Sequence, residues 1–144
     1  MTNHKSIFID SSSWISYIIT TDSNHRRATS LFSSPQLKSD LFISTFIISE
    51  IITKIRKILG QKSATRLYKQ LLKSEKKKRL TILSTNKDIL DEAMLLLEKY
   101  PTPNTFSLTD ATNIILCQKY KISTLFSFDK DFQKLKIPRL YLLP

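Results

Sequence analysis

Apolar and polar positions along this chain follow two alternating periods, and the switches between them mark its elements. Ile7-Phe8-Ile9 is a short run apolar throughout, as in a strand buried on both faces, and it stops at Asp10. Trp14, Ile15, Tyr17 and Ile18 follow at helical spacing, predicting a helix from about Ser13 to Thr20. Asp22-Ser-Asn24 is a polar break. Asn24 or Ser23 could cap a second helix carrying Arg26, Ala28, Leu31 and Phe32, which Ser33-Ser-Pro35 ends. Leu41-Phe-Ile43 predicts a second apolar strand.

Ser44 or Thr45 opens a long helix whose Ile47, Ile48, Ile51, Ile52, Ile55, Ile58 and Leu59 form a broad core-facing stripe, closed by Gly60. Ala64, Leu67, Tyr68, Leu71 and Leu72 predict the next helix, which runs into a basic turn over Lys73–Arg79. Leu80–Leu83 is the third strand. Thr85-Asn-Lys-Asp88 reads as a capping box ahead of a helix with Ile89, Leu90, Ala93, Met94, Leu96 and Leu97. Pro101 and Pro103 end that helix, and Ser107-Leu-Thr-Asp110 is a second capping-box pattern, heading Ala111, Ile114, Ile115 and Leu116. Ile122–Phe126 is the fourth strand, a helical turn follows Asp129, and Leu140–Leu143 is the fifth. With no linker and no repeat, residues 1–144 read as one domain: a three-layer α/β/α sandwich on a mostly parallel sheet of about five strands.

Composition narrows the chemistry. Gly60 is the only glycine, so no glycine-built phosphate loop can be written. Lysine and arginine number 23 against 12 acids, for a formal charge of +11, which favours a polyanionic partner. No apolar segment approaches the roughly 20 residues of a membrane span, and no signal-peptide pattern opens the chain, so nucleic acid is favoured over a membrane surface. The lone Cys117 excludes an internal disulfide and fits a reducing cytoplasm; it reads as a small packed residue. His4 and His25 have no metal-binding partner spacing, which argues against zinc, and no GxSxG elbow is present.

In open α/β sheets ligands gather beyond the carboxyl ends of the strands. Asp10 ends the first strand, Asp129 follows the fourth, Asp110 heads the helix entering the fourth, and Glu50 lies on the helix after the second. Converging carboxylates suit hard, oxygen-seeking Mg²⁺ or Mn²⁺, ions that usually share their coordination with substrate phosphates. Each acid also has a local explanation. Asp10 and Asp129 could cap the elements after them, Asp110 fits a capping box, and Glu50 could pair with Lys54. Asp131 reads as a solvated acid near a helix start. Asp110, Asn113 and Cys117 share one side of their helix, making Asn113 a candidate ligand or phosphate contact. Ser11 and Ser127 could orient bound water, or simply satisfy turn backbone.

Ile7-Phe-Ile-Asp10-Ser-Ser-Ser, Ser49-Glu50, Ser107-Leu-Thr-Asp110-Ala and Ser127-Phe-Asp129-Lys-Asp-Phe132 resemble the four acidic motifs of PIN-domain ribonucleases. Their order and spacing are most similar to the small VapC-type toxins, over essentially the whole chain. Serine stands at Ser11 and Ser127 where many members carry threonine, and the hydroxyl is retained. The resemblance implies a metal-dependent endoribonuclease with Asp10, Glu50, Asp110 and Asp129 as its acidic quartet. It also implies Mg²⁺ or Mn²⁺ as cofactor, RNA as substrate, a cognate antitoxin and a homodimer. An antitoxin would need an apolar groove, expected beside Trp14, Tyr17 and Ile18. Two other readings share the pattern: a nucleic-acid-binding scaffold of the same fold without turnover, and a receiver-type phosphoacceptor domain. The latter lacks the adjacent acids expected after the first strand and an acceptor Asp after Leu83.

Overall fold

A computed structural model describes residues 5–144, so His4 lies outside the described residues. Five strands form the sheet: β1 (Ser6–Ile9), β2 (Asp40–Ser44), β3 (Leu80–Leu83), β4 (Thr124–Phe126) and β5 (Tyr141–Leu143). Their order is β3-β2-β1-β4-β5 and every pairing is parallel, so the sheet is wholly rather than mostly parallel. Six helices accompany it among the described residues: α1 (Ser11–Ile18), α2 (His25–Phe32), α3 (Thr45–Leu59), α4 (Gln61–Lys76), α5 (Lys87–Lys99) and α6 (Leu108–Lys119). The receiver reading falls here, because flavodoxin-like receiver sheets are ordered 2-1-3-4-5.

Period-two geometry divides the sheet's apolar residues between two cores. Phe8, Ile43 and Leu125 join the larger cluster with Ile47, Ile51 and Ile55 of α3, Ile89 of α5 and Ile114 of α6. Ile7, Ile9 and Phe126 face the other side, against Leu37 and against Leu31 and Phe32 of α2. Helix α6 is buried almost all round, from Asp110 through Cys117, which is why its sequence shows so little polar face.

Caps set the helix boundaries. Ser44 Oγ accepts from Ile47 N–H at 3.1 Å to start α3. At its far end Gly60 takes φ 92°, a left-handed conformation in which a side chain would be strained, and turns the chain straight into α4. The cap of α5 is Asn86, whose Oδ1 accepts from Ile89 N–H at 3.1 Å; Thr85, the expected cap, instead donates its own N–H to Thr45 Oγ1. Helix α1 begins two residues before the expected start, directly behind Asp10, because the serines continue the helix instead of forming a turn.

Candidate functional site

The chain adds β2 and β3 on one side of β1, then crosses to add β4 and β5 on the other. Connections leaving the carboxyl ends of β1 and β4 therefore diverge, which opens a crevice where such sheets bind ligands. Asp10 stands at the end of β1 and Asp129 just beyond β4, on opposite lips of that crevice. A hollow of about 520 Å³ lies there, with Asp10, Glu50, Asp110 and Asp129 all in its wall, together with Ser11, Ser12, Asp22, Asn24 and Lys54. The four acids picked from the sequence are thus brought together.

Asp10 is 2% exposed, and its side chain does not cap α1. Its Oδ2 accepts from Ser127 Oγ at 2.7 Å and from Ser12 Oγ at 3.0 Å; its Oδ1 accepts from Asn113 Nδ2 at 3.0 Å. The two serines also hold the β4 side: Ser12 Oγ accepts from Phe128 N–H and Ser127 Oγ from Asp129 N–H, each at 3.0 Å. Ser13 Oγ ties the start of α1 to Phe126 C=O. Burial pushes the Asp10 carboxyl above its ordinary range; the Ser127 and Ser12 hydroxyls and Ser11 N–H oppose this, and the Glu50 charge adds to the rise.

Asp110 and Asp129 combine local and shared roles. Asp110 completes the capping box of α6, with Ser107 N–H donating to its Oδ2 at 2.9 Å. Its carboxyl is nonetheless pushed up to about 7, chiefly by burial, against the Ser107 hydrogen bonds and with the charges of Asp10 and Asp129. Asp129 Oδ1 accepts from Asp131 N–H at 2.9 Å, capping the short 3-10 turn Lys130–Lys134. Glu50 is exposed at the mouth of the hollow, and it forms no ion pair with Lys54: among the described residues the ion pairs are Lys87–Asp91 and Lys134–Asp131.

Two residues sit differently from the sequence expectation. Asp131 is buried, accepting from Thr105 and Lys134 away from the hollow, and these bonds hold its carboxyl low. The hydroxyl bonded to Asp10 from α1 belongs to Ser12; Ser11 lines the wall. Ser12 was hidden because the position of a hydroxyl within a three-serine run depends on where the helix starts. In sequence Lys54 presents itself only as a partner for Glu50, and the fold sets its place in the wall.

Does this wall suit a divalent cation? Its donors are carboxylate oxygens, two of them on buried acids destabilised by neighbouring negative charge, and Asn113 Oδ1 is buried without a partner among the described residues. Cys117, the one soft donor on α6, is packed in the core, with burial pushing its thiol up. Among the described residues no three acid, histidine or cysteine side chains stand together as a preformed cage. Magnesium sites commonly take only one or two carboxylates, with water and phosphate oxygens completing the shell, so the donor set fits such an ion.

A second hollow, of about 550 Å³, separates α1 from α4. Trp14, Tyr17, Ile18, Leu41, Leu67 and Leu71 make its apolar floor, and Lys73, Lys77 and Arg79 its rim. Among the described residues no helix is long and apolar enough to cross a membrane.

The profile of the PIN domain matches residues 7–138. In structure the chain is similar to the sarcin–ricin-loop-cleaving toxin VapC20 of Mycobacterium tuberculosis, with 22% identity, TM-score 0.77, and coverage of 94% of this chain and 98% of that one. It is also similar to VapBC2 of Rickettsia felis, solved bound to a DNA fragment from its promoter, at 16% identity, TM-score 0.63 and coverage of 95% and 96%. FitAcB of Neisseria gonorrhoeae matches at 14% identity, TM-score 0.65 and coverage of 96% of both chains. Among curated proteins none matches the chain in sequence.

Proposed function

The chain belongs to the PIN-domain family, and from that membership we propose that it is a divalent-metal-dependent endoribonuclease, the toxin of a toxin–antitoxin pair acting in the cytoplasm. The observation that carries the reading is one hollow at the divergence of β1 and β4, walled by Asp10, Glu50, Asp110 and Asp129. Likeness to a toxin that cleaves the sarcin–ricin loop supports RNA as the polymer. The formal charge of +11 supplies affinity for its backbone.

In this reading Asp10, Asp110 and Asp129 would hold Mg²⁺ or Mn²⁺, with Glu50 completing the site from the mouth. Such an ion would supply Lewis-acid chemistry there, toward water and toward charge developing on the phosphodiester. The chain's own contribution is placement. Three donors fix the Asp10 carboxylate, so it cannot rotate away from the hollow. Asp110 and Asp129 each commit one oxygen to a backbone cap and keep the other without a hydrogen-bonding partner among the described residues. Like charges gathered in a partly buried wall raise the free energy of the empty site, and a cation relieves that strain on binding.

The apolar hollow between α1 and α4 supports an antitoxin as partner. Its floor suits the apolar face of a helix, and Lys73, Lys77 and Arg79 on the rim suit acids flanking that face. Exposed Met94 and Leu95 on α5 provide apolar surface for a homodimer. The test of the activity is cleavage of a labelled RNA by purified protein with Mg²⁺ or Mn²⁺ and again with chelator. Metal-dependent cleavage that chelator abolishes is expected. RNA binding without cleavage under any metal would instead identify a scaffold.

A further inference from the structure

Between Glu50 and Glu75 the chain contains no acid, yet it carries Lys54, Arg56, Lys57, Lys62, Arg66, Lys69 and Lys73. This acid-free stretch makes up most of the α3–α4 hairpin, which is pinned at Gly60 and packed on the core through Ile47, Ile51, Ile55, Ala64 and Leu71. At about 100° per residue, Glu50, Thr53, Lys54 and Lys57 fall on one side of α3, off the buried isoleucine stripe. The surface beside them is not flat. The acid-walled hollow shares Glu50 and Lys54 with a neighbouring one lined also by Ser49, Thr53 and Lys57. That one in turn shares Thr53 and Lys57 with a third, which reaches Arg56 and Gln61. A string of three recesses therefore leads out of the acid pocket along α3, with its first base, Lys54, inside the acid wall.

None of Lys54, Arg56 and Lys57 is ion-paired among the described residues. Beyond the acid wall Arg56 and Lys57 are exposed and likewise unpaired; neighbouring cations cost self-repulsion, and a polyanion removes that cost. Successive bases on this face rise by about 4–6 Å along the helix, a spacing that suits phosphates of an extended strand. Ser49, Thr53 and Gln61 line the same recesses as the cations and add hydroxyl and amide groups, the mix that positions a backbone without reading bases.

We infer that the outer face of α3 is the track along which single-stranded RNA leaves the acid pocket, with Lys54 and Lys57 contacting consecutive backbone phosphates. This rests on the ribonuclease reading above and assigns the path of its substrate. Lys54 sits nearest the acids and positions the phosphate beside the scissile one; Lys57 and Arg56 hold the strand beyond it.

The test is binding of a short fluorescent single-stranded RNA, in chelator to stop cleavage, across a salt series. Lys54→Gln with Lys57→Gln is compared with Lys119→Gln with Lys136→Gln, which removes equal charge elsewhere. Single strands lose affinity with a slope of about 0.7 per neutralised phosphate, so the α3 pair lowers the salt slope by about 1.4. Between 50 and 200 mM salt wild type then loses about sevenfold more affinity than the α3 variant, whereas the control variant tracks wild type. Lys54→Arg with Lys57→Arg restores the slope. Equal slopes for both Gln pairs would overturn the track, and a changed sedimentation coefficient with unchanged slope would assign the face to self-association instead. Wild-type protein that neither binds nor cleaves RNA would overturn the ribonuclease reading itself.

Discussion

Replacing Asp110 by asparagine removes a buried charge while keeping the shape of the side chain. Asp110 is 9% exposed, and burial with the charges of Asp10 and Asp129 raises its carboxyl from 3.8 to about 7. A carboxyl raised in the folded state stabilises the fold below its unfolded value, and that stabilisation is lost as pH climbs through the folded value. The window is therefore about pH 4 to 7, with stability falling as pH rises. At about 1.4 kcal/mol per unit, the shift sets a ceiling of roughly 4 kcal/mol that wild type forfeits by pH 8 and the asparagine variant does not. Asn Oδ1 can still accept Ser107 N–H, so the capping box survives as a weaker, neutral bond. The net gain is about 2–4 kcal/mol, or roughly 5–15 °C in Tm for a chain of this size. Thermal melts followed by circular dichroism in chelator at pH 8 and pH 4.5 measure it. Asp110→Asn is expected to melt above wild type at pH 8 and level with it at pH 4.5, and Mg²⁺ is expected to narrow the gap at pH 8. A variant no more stable than wild type at pH 8, or a gap equal at both pH values, would refute the argument from charge.

Ser127→Ala removes the 2.7 Å bond to Asp10 and the acceptor for Asp129 N–H, loosening both lips of the crevice at once. Cleavage is expected to fall about 10–100-fold at fixed metal, and wild-type rates would show that these bonds are only structural. Trp14→Ala with Ile18→Ala strips the floor of the α1–α4 hollow and is expected to abolish antitoxin capture while cleavage persists; retained capture in a pull-down would move the antitoxin elsewhere. On α3, loss of Lys54 and Lys57 is expected to flatten the salt dependence of RNA binding, and a slope equal to wild type would argue against the track.

Much of this fold was legible because each element is locally consistent. The Ile7–Ile9 run, the α3 isoleucine stripe with Ser44 and Gly60 at its ends, and the Ser107–Asp110 capping box all reappear in the structure. What local pattern could not supply was tertiary. The strand order, and with it the divergence at β1 and β4 that explains why the acids meet, depends on pairings between distant segments. Asp131 looked solvated because its partner Thr105 lies 26 residues upstream. The choice of Ser12 over Ser11 turned on a helix start shifted by two residues, within the ordinary uncertainty of helix ends. The local explanations for Asp110 and Asp129 also proved true, so cap and pocket are not alternatives here: one oxygen of each carboxylate caps, and both side chains line the hollow.

The central claim is that the carboxylates walling the β1–β4 crevice act together as the cation site of an RNA-cleaving centre. Its most direct test is cleavage of labelled RNA by purified wild type, Asp10→Ala and Asp129→Ala with Mg²⁺ or Mn²⁺. The account predicts metal-dependent cleavage by wild type and a loss to background in both variants while their folds persist by circular dichroism. Undiminished cleavage by either variant would contradict it.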